Sequence, residues 1–320
     1  MKITVLGCGR WGSFLAWYHG QNHEIRLWGR ETSRGYQELK QTGKNQYVVL
    51  PDSVVMTSDL AVAISFADVI VISIGAQHLR ELAVQVNEYP VQNKTFILCM
   101  KGLESDTGKR LTEVFKEEVK QPVRVAVWVG PGHVQDFTNR IPNCMVVDSD
   151  DRETVSFIVD QLNSDLIRLY RGNDLIGTEV GAAAKNVIGI AAGMLDGKGL
   201  SSLKGALMAR GAREVARLIR AMDGNELSAY GLCHLGDYEA TLFSPHSHNR
   251  RFGENYIQGK EYGELAEGVP TVQALVRLGE EFQVDLPICK TVYDILYLNA
   301  DGDKALKALF MRSVKGEFDT

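Results

Sequence analysis

The stretch Ile3-Thr4-Val5-Leu6-Gly7-Cys8-Gly9-Arg10-Trp11-Gly12 decides how this chain is read. A short, mostly apolar run enters a turn spaced G-x-G-x-x-G. A helical pattern then continues to Gly20, and a second strand-like run occupies 24–28. Each glycine has a separate physical reason. Gly7 permits the tight turn, Gly9 lets the backbone approach a pyrophosphate, and Gly12 lets helix and strand pack closely. The amides at the helix start then face the phosphates. With a strand before it and a helix after it, the motif implies dinucleotide binding; a purely structural glycine turn is the weaker reading.

Composition narrows the rest. At 320 residues, 45% hydrophobic and 23% charged, the chain has ordinary globular usage and enough length for two cores. A net charge of −5 gives no electrostatic reason to expect nucleic acid or an anionic membrane surface as partner. No apolar run is expected to approach the roughly 20 residues of a membrane span. The N-terminus enters a strand without the basic and apolar regions of a signal peptide. Cys8, Cys99, Cys144, Cys233 and Cys289 are odd in number and scattered, with no C-x-x-C pair. Reduced thiols in a cytoplasm are the expectation, and no metal site is.

Strand-like runs recur at 2–6, 24–28, 68–74, 95–99, 123–129, 144–147 and 167–170, with helical stretches such as 77–87, 107–120 and 154–162 between them. This alternation predicts a doubly wound Rossmann-type α/β sheet, parallel and covered on both faces, over residues 1–177. Strand signals then stop. Helical patterns at 179–195, 203–222, 271–282 and 288–298 predict an all-helical substrate domain over 178–320. Arg213, Arg217 and Arg220 are read as a solvated helix face in preference to an anion site. Because ligands bind beyond the C-terminal ends of such strands, the helical domain is expected to supply substrate-facing groups.

At the end of the second strand the chain reads Leu27-Trp28-Gly29-Arg30-Glu31. A guanidinium at Arg30 suits a 2′-phosphate and favours NADP(H), while Glu31 leaves NAD(H) open. Four further segments carry unusual residues. Lys101 follows a strand directly, in Met100-Lys101-Gly102-Leu103-Glu104. Gly130-Pro131-Gly132-His133 follows another. Lys185 and Asn186 interrupt a helix of small apolar residues, Gly181 to Val187. Gly236-Asp237 through Thr241 leads into Ser247-His248-Asn249-Arg250-Arg251-Phe252-Gly253. Lys185 stands out, because a lysine among alanine, valine and isoleucine is costly unless paired. Its helical neighbours Gly181 and Gly189 would leave room for a ligand. Asp237 and Thr241, one helical turn apart, could hydrogen-bond the lysine or a substrate. Asn249 and Arg250 could hold a phosphate, with a basic surface turn as the other reading.

These segments, in this order, make the chain resemble the NAD(P)-dependent glycerol-3-phosphate dehydrogenases of bacteria over nearly its whole length. The resemblance implies a dinucleotide-binding domain followed by a helical domain like that of 6-phosphogluconate dehydrogenases. It also implies interconversion of dihydroxyacetone phosphate and sn-glycerol 3-phosphate for phospholipid synthesis, and a homodimer. Carried over by position, it makes Lys185 the proton donor and acceptor, assisted by Asp237. Lys101, Gly130, Gly132, Asn186, Asp237, Thr241, Ser247, His248, Asn249 and Arg250 would meet the substrate. Gly7, Gly9, Arg10, Trp11, Gly12, Arg30, Lys101, Val134, His248, Leu265 and Glu267 match cofactor-contacting positions.

Three positions depart from the family pattern. His248 stands where an arginine is usual, Gly132 replaces a serine or threonine, and the proline after the fourth strand is replaced around Gly75. A histidine is a weaker, pH-dependent cation. These departures motivate two alternatives: a reductase of another phosphorylated or carboxylated 2-keto compound, and a catalytically silent nucleotide-binding sensor. Lys185, Asn186 and Asp237 together argue against the sensor, which needs no proton donor.

Overall fold

A computed structural model describes residues 1–312, 316 and 317. It divides into two compact units. Unit 1 comprises Met1–Met100 and Leu111–Asn173; unit 2 comprises Lys101–Arg110 and the chain from Asp174 onward.

In unit 1 the chain runs β1 (Lys2–Leu6), α1 (Arg10–Gly20), β2 (Glu24–Trp28), α2 (Arg34–Thr42), β3 (Val54–Thr57), α3 (Leu60–Phe66) and β4 (Val69–Ile72). It continues through α4 (Leu79–Asn87), β5 (Thr95–Leu98), α5 (Leu111–Glu118), β6 (Arg124–Val129), α6 (Val134–Thr138), β7 (Asn143–Asp148), α7 (Arg152–Leu162) and β8 (Ile167–Arg171). The eight strands order as β3-β2-β1-β4-β5-β6-β7-β8. The reversal of direction of growth at β1, between β2 and β4, is the feature that doubly wound sheets use for ligands. The central strands β4 and β5 are buried at every position, as expected where helices cover both faces.

Two details differ from the expected all-parallel sheet. The pair β6–β7 is antiparallel, with Trp128 opposite Val147, while β7–β8 returns to parallel. The four-residue strand β3, Val54-Val55-Met56-Thr57, was not expected, and it is only partly buried. Helix ends follow local chemistry. Asp151 caps α7 by accepting from the amides of Glu153 and Thr154, and Asp59 caps α3 in the same way.

Unit 2 is helical: α8 (Leu175–Gly197), α9 (Lys204–Ala221), α10 (His248–Ile257), α11 (Gly268–Glu281), α12 (Pro287–Tyr297) and α13 (Gly302–Phe310). Every residue of α8 from Gly177 to Leu195 is buried, so this helix has no solvent face and forms the axis of the unit. Glycines let α10 approach it at backbone distance. A Cβ on Gly193 would lie 1.9 Å from the Arg250 carbonyl oxygen, and one on Gly253 2.1 Å from that of Ile190.

The absence of long apolar runs needs correcting. At 23 residues, with a mean hydropathy of 1.2 over an 18-residue window, α8 is long and apolar enough to cross a membrane, yet it is largely buried within the protein. The solvated arginine face needs correcting too. Of those three arginines on α9, Arg220 is exposed while Arg213 and Arg217 are half-buried, and Arg217 donates to the Asp285 carbonyl at 2.7 Å.

Residues 101–110, expected with the first domain, cluster instead with unit 2. Leu103 is the reason. Its side chain is fully buried in the core of the helical unit, among Val187, Leu275 and their neighbours. The Arg110–Glu179 ion pair (2.9 Å) fastens the far end of the segment. Losing Leu103 by truncation to alanine would cost about 2–5 kcal/mol, as for other filled core positions. The second unit thus takes in a lysine, Lys101, that chain order alone assigns elsewhere.

Candidate active site

The glycine turn of unit 1 has the geometry its spacing predicts. Gly7 sits at φ +125°, where other residues are strained, and a Cβ there would lie 2.0 Å from the Ser73 carbonyl oxygen. Gly12 packs its α carbon against the Gly7 carbonyl. Over Gly9 there is open space: a Cβ there would meet nothing within 4 Å. No side chain caps α1, and its first turn holds no acidic residue. Its amide dipoles are thus left to attract an anion. Arg10 and Trp11 open the helix, and the half-buried Trp11 ring lies 4.9 Å from that of Phe14. Arg30 is exposed just beyond β2, while Glu31 is paired with Lys40 at 3.5 Å. These residues fit a dinucleotide: room at the turn, a helix start that no side chain caps, and a cation at the second strand.

After β6 the chain passes through Gly130 and Gly132 before Val134 opens α6. Gly132 has φ +134°, and a Cβ on it would lie 2.4 Å from the Phe137 ring. The hydroxyl missing at this position is therefore excluded by the local backbone and packing.

In unit 2 three charged groups meet. Lys185 Nζ lies 3.0 Å from Asp237 Oδ2, and Lys101 Nζ lies 2.7 Å from the same oxygen. Lys185 also donates to Thr241 Oγ1 at 2.8 Å, and that hydroxyl donates to the Asp237 carbonyl at 2.7 Å. Asp237 ends a 3-10 turn, Leu235–Asp237, and Thr241 lies in a single π-helical turn, Glu239–Phe243. The wider turn is a common device at functional sites, and here it presents Thr241 to the lysine. The space beside Gly181 and Gly189 is filled by protein. A Cβ on Gly189 would lie 2.7 Å from the Thr241 methyl, and one on Gly181 would meet Cys233 and His234. These glycines admit the loop that grips Lys185, correcting the expectation that they leave room for a ligand.

Amides extend the cluster. Asn186 Nδ2 donates to the Lys101 carbonyl at 2.7 Å, and Asn249 Nδ2 donates to Asn186 Oδ1 at 3.0 Å. Asn249 Oδ1 accepts from the Gly268 amide, the first residue of α11, at 2.9 Å. Lys101, Asn186 and Asn249 are thus held in one chain of hydrogen bonds.

Other predicted residues stand apart from this cluster. Arg250 Nη1 is bound to Asp196 (2.8 Å) and Glu254 (2.9 Å), so its charge is neutralised by carboxylates. Ser247 caps α10 by accepting from the Arg250 amide. His248, the first residue of that helix, bonds through Nδ1 to the Tyr262 hydroxyl at 2.6 Å. Leu265 is exposed, and Glu267 is the residue before α11, its carbonyl accepting from Thr271 Oγ1. The sequence reading missed His234, Tyr238 and Tyr262. Nothing in their spacing marks them, since each acts through contacts that only the folded loop creates.

Among the described residues no cluster of histidine, cysteine, aspartate or glutamate could hold a metal ion, and all five cysteines are free thiols. Buried in an apolar setting, the Cys8 thiol is pushed up to about 12 and is inert in the nucleophilic sense.

Two family matches cover most of the chain. Residues 2–155 match the NAD-dependent glycerol-3-phosphate dehydrogenase N-terminus, and residues 174–307 match its C-terminus. A glycerol-3-phosphate dehydrogenase [NAD(P)+] of Chlorobium phaeobacteroides is 35% identical over 332 residues, 99% of each chain. One from Bacillus pumilus is also 35% identical, over 97% of this chain and 94% of the relative. Among solved structures, the glycerol-3-phosphate dehydrogenase of Coxiella burnetii superposes with a TM-score of 0.91 at 26% identity, covering 97% of this chain and 99% of that one. A D-mandelate dehydrogenase, at 14% identity and a TM-score of 0.62, shares the fold.

Proposed function

The chain belongs to the NAD-dependent glycerol-3-phosphate dehydrogenase family, and on that footing we propose that it interconverts dihydroxyacetone phosphate and sn-glycerol 3-phosphate with NAD(P)(H), supplying phospholipid synthesis. The observation that carries this reading is the sharing of Asp237 Oδ2 by Lys101 and Lys185. Two ammonium groups on one carboxylate leave a surplus of positive charge where water is scarce. An oxygen that becomes an alkoxide is the partner such a cluster favours.

When bound, the reduced nicotinamide supplies the hydride that adds to C2 of the ketone. In the reductive direction Lys185 polarises the ketone oxygen and gives it a proton as the C–O bond loses its double-bond character. The alcohol forms and the amine is left neutral, to be reprotonated from solvent. Asp237 and Thr241 hold the amine in a fixed position. Holding the ketone against a fixed amine contributes by orientation as well as by charge. Lys101, Asn186 and Asn249 serve as the polar wall for the substrate, with His248 preceding Asn249 on α10. Arg250, committed to Asp196 and Glu254, positions that helix in this reading. In unit 1, Gly7, Gly9 and Gly12 with the start of α1 take the pyrophosphate. Arg30 accommodates a 2′-phosphate, which favours NADP(H).

The reading includes a cytoplasmic homodimer. Five free thiols support a reducing compartment. Light scattering on the purified protein tests the dimer. For the activity, dihydroxyacetone phosphate added to enzyme and NADPH should bleach the reduced-nicotinamide absorbance, whereas a panel of 2-ketoacids should not. Turnover of a ketoacid without turnover of dihydroxyacetone phosphate would overturn the substrate assignment.

A further inference from the structure

One fully buried polar side chain near the cluster has no part in the chemistry described so far. His234 is entirely buried, and both ring nitrogens are engaged. Nδ1 lies 2.8 Å from the Gly181 carbonyl oxygen, and Nε2 lies 2.6 Å from the Tyr238 hydroxyl. A carbonyl can only accept, so Nδ1 carries the proton. In the neutral ring Nε2 is then the acceptor and Tyr238 the donor. Burial holds the Tyr238 hydroxyl well above its ordinary pKa, so it stays protonated and able to donate.

Both partners adjoin the reacting groups. Gly181 lies one helical turn before Lys185 on α8, and Tyr238 immediately follows Asp237. We propose that His234 is a positioning residue for the reaction: its neutral imidazole ties the turn of α8 below Lys185 to the turn that carries Asp237, and so fixes the separation of that pair. The inference rests on the reaction proposed above.

The same contact makes the clamp sensitive to protonation. Burial pushes the His234 ring down to about 4, so it is neutral at physiological pH. The charged groups acting on it are Lys185 from α8, which disfavours a second positive charge, and Asp237 on its own turn, which favours one. Glu214 from α9 acts on the Tyr238 hydroxyl. A proton on Nε2 would reverse the bond to Tyr238 and add a cation to a cluster already rich in them.

Three variants and one spectroscopic measurement test the proposal. His234→Ala should lower kcat about tenfold or more while KM for dihydroxyacetone phosphate changes by less than about twofold, since misplacing a reacting group costs turnover. His234→Asn, whose amide can donate to Gly181 in place of Nδ1, should recover most of that loss. Tyr238→Phe removes the donor to Nε2, so the acid limb of the kcat profile should move up by about one pH unit. A merely structural histidine would lower thermal stability and leave this limb in place.

A folded Tyr238→Phe enzyme with the wild-type acid limb overturns the proposal, even if the His234 variants fail to fold. Nitrogen-15 spectra of the wild-type imidazole give a readout independent of turnover. The expected result is a neutral Nδ1–H ring above about pH 5; a cationic ring at pH 7 sinks the clamp. If the wild type does not reduce dihydroxyacetone phosphate, the functional reading falls, and these spectra still decide the clamp.

Discussion

Lys185 and Asp237 form an ion pair of 3.0 Å with side chains 9% and 2% exposed, and Lys185 sits in a stretch of α8 that is otherwise mostly small and apolar. Buried charges of this kind persist only when paired and hydrogen-bonded, and Thr241 and Lys101 complete the pairing.

Lys185→Gln keeps the helix and a polar group but cannot deliver the proton. Turnover should fall by about 10²–10⁴-fold, the usual contribution of a positioned acid. NADPH affinity, measured by fluorescence titration, should change little. A variant retaining more than a third of wild-type kcat would remove the amine from the mechanism.

Asp237→Asn leaves two lysines facing each other across a neutral amide. Removing one partner from a buried ion pair strands the other, so unfolding free energy should drop by about 3 kcal/mol. Urea titration would measure this, and activity should fall with it. Unchanged stability would mean that the lysines are screened by groups other than Asp237.

Arg30→Ala tests the cofactor end. An exposed guanidinium that meets a 2′-phosphate should contribute a charge-assisted hydrogen bond, so kcat/KM for NADPH should fall about tenfold while that for NADH hardly moves. An equal fall for both cofactors would place the Arg30 effect on something they share.

Two buried groups make opposite contributions to stability against pH. Glu214 accepts from the Ile288 and Cys289 amides at the start of α12, yet burial raises its pKa to about 7. A carboxyl raised in the folded state stabilises fully below its unfolded value near 4.5, and that contribution is lost as pH rises towards 7. His234 runs the other way. Its folded value, near 4, lies below the unfolded 6.5, so its contribution is present above 6.5 and lost as pH falls towards 4. Each is of order 3 kcal/mol, so the two slopes oppose each other between pH 4.5 and 6.5, while the buried His19, pushed down to about 3, adds to the slope of His234. Glu214→Gln, whatever its overall cost, should unmask a steep loss of thermal stability on acidification. A melting temperature flat with pH in that variant would contradict the His234 assignment.

Much of the fold is legible because its signals are local. The β1–turn–α1–β2 stretch announces itself through glycines at fixed offsets, and Lys185 through its contrast with a small apolar helix. What could not be read is settled by tertiary packing. The antiparallel entry of β7 leaves no mark in Cys144 to Val147, whose side chains alternate just as they would in a parallel strand. Residues 101–110 join unit 2 through the buried side chain of Leu103 and the ion pairs of Lys101 with Asp237 and Arg110 with Glu179. At the site, the lysines and Asp237 were visible as residue types, but the commitment of Arg250 to Asp196 was not, because Asp196 lies fifty-four positions away. His234 was hidden for the same reason: an isolated histidine carries no pattern until Gly181 and Tyr238 close around it.

The 23-residue length of α8 gives Lys185 a second consequence, felt while the chain is being made. A nascent segment of that span and apolarity qualifies for the translocon, and one cation at its midpoint raises the insertion cost by about 2.5–3.5 kcal/mol. The amine proposed for proton transfer therefore also biases the unfolded helix towards water. A leucine or methionine substituted at this position would silence the chemistry and, in the same stroke, invite the newborn chain into lipid.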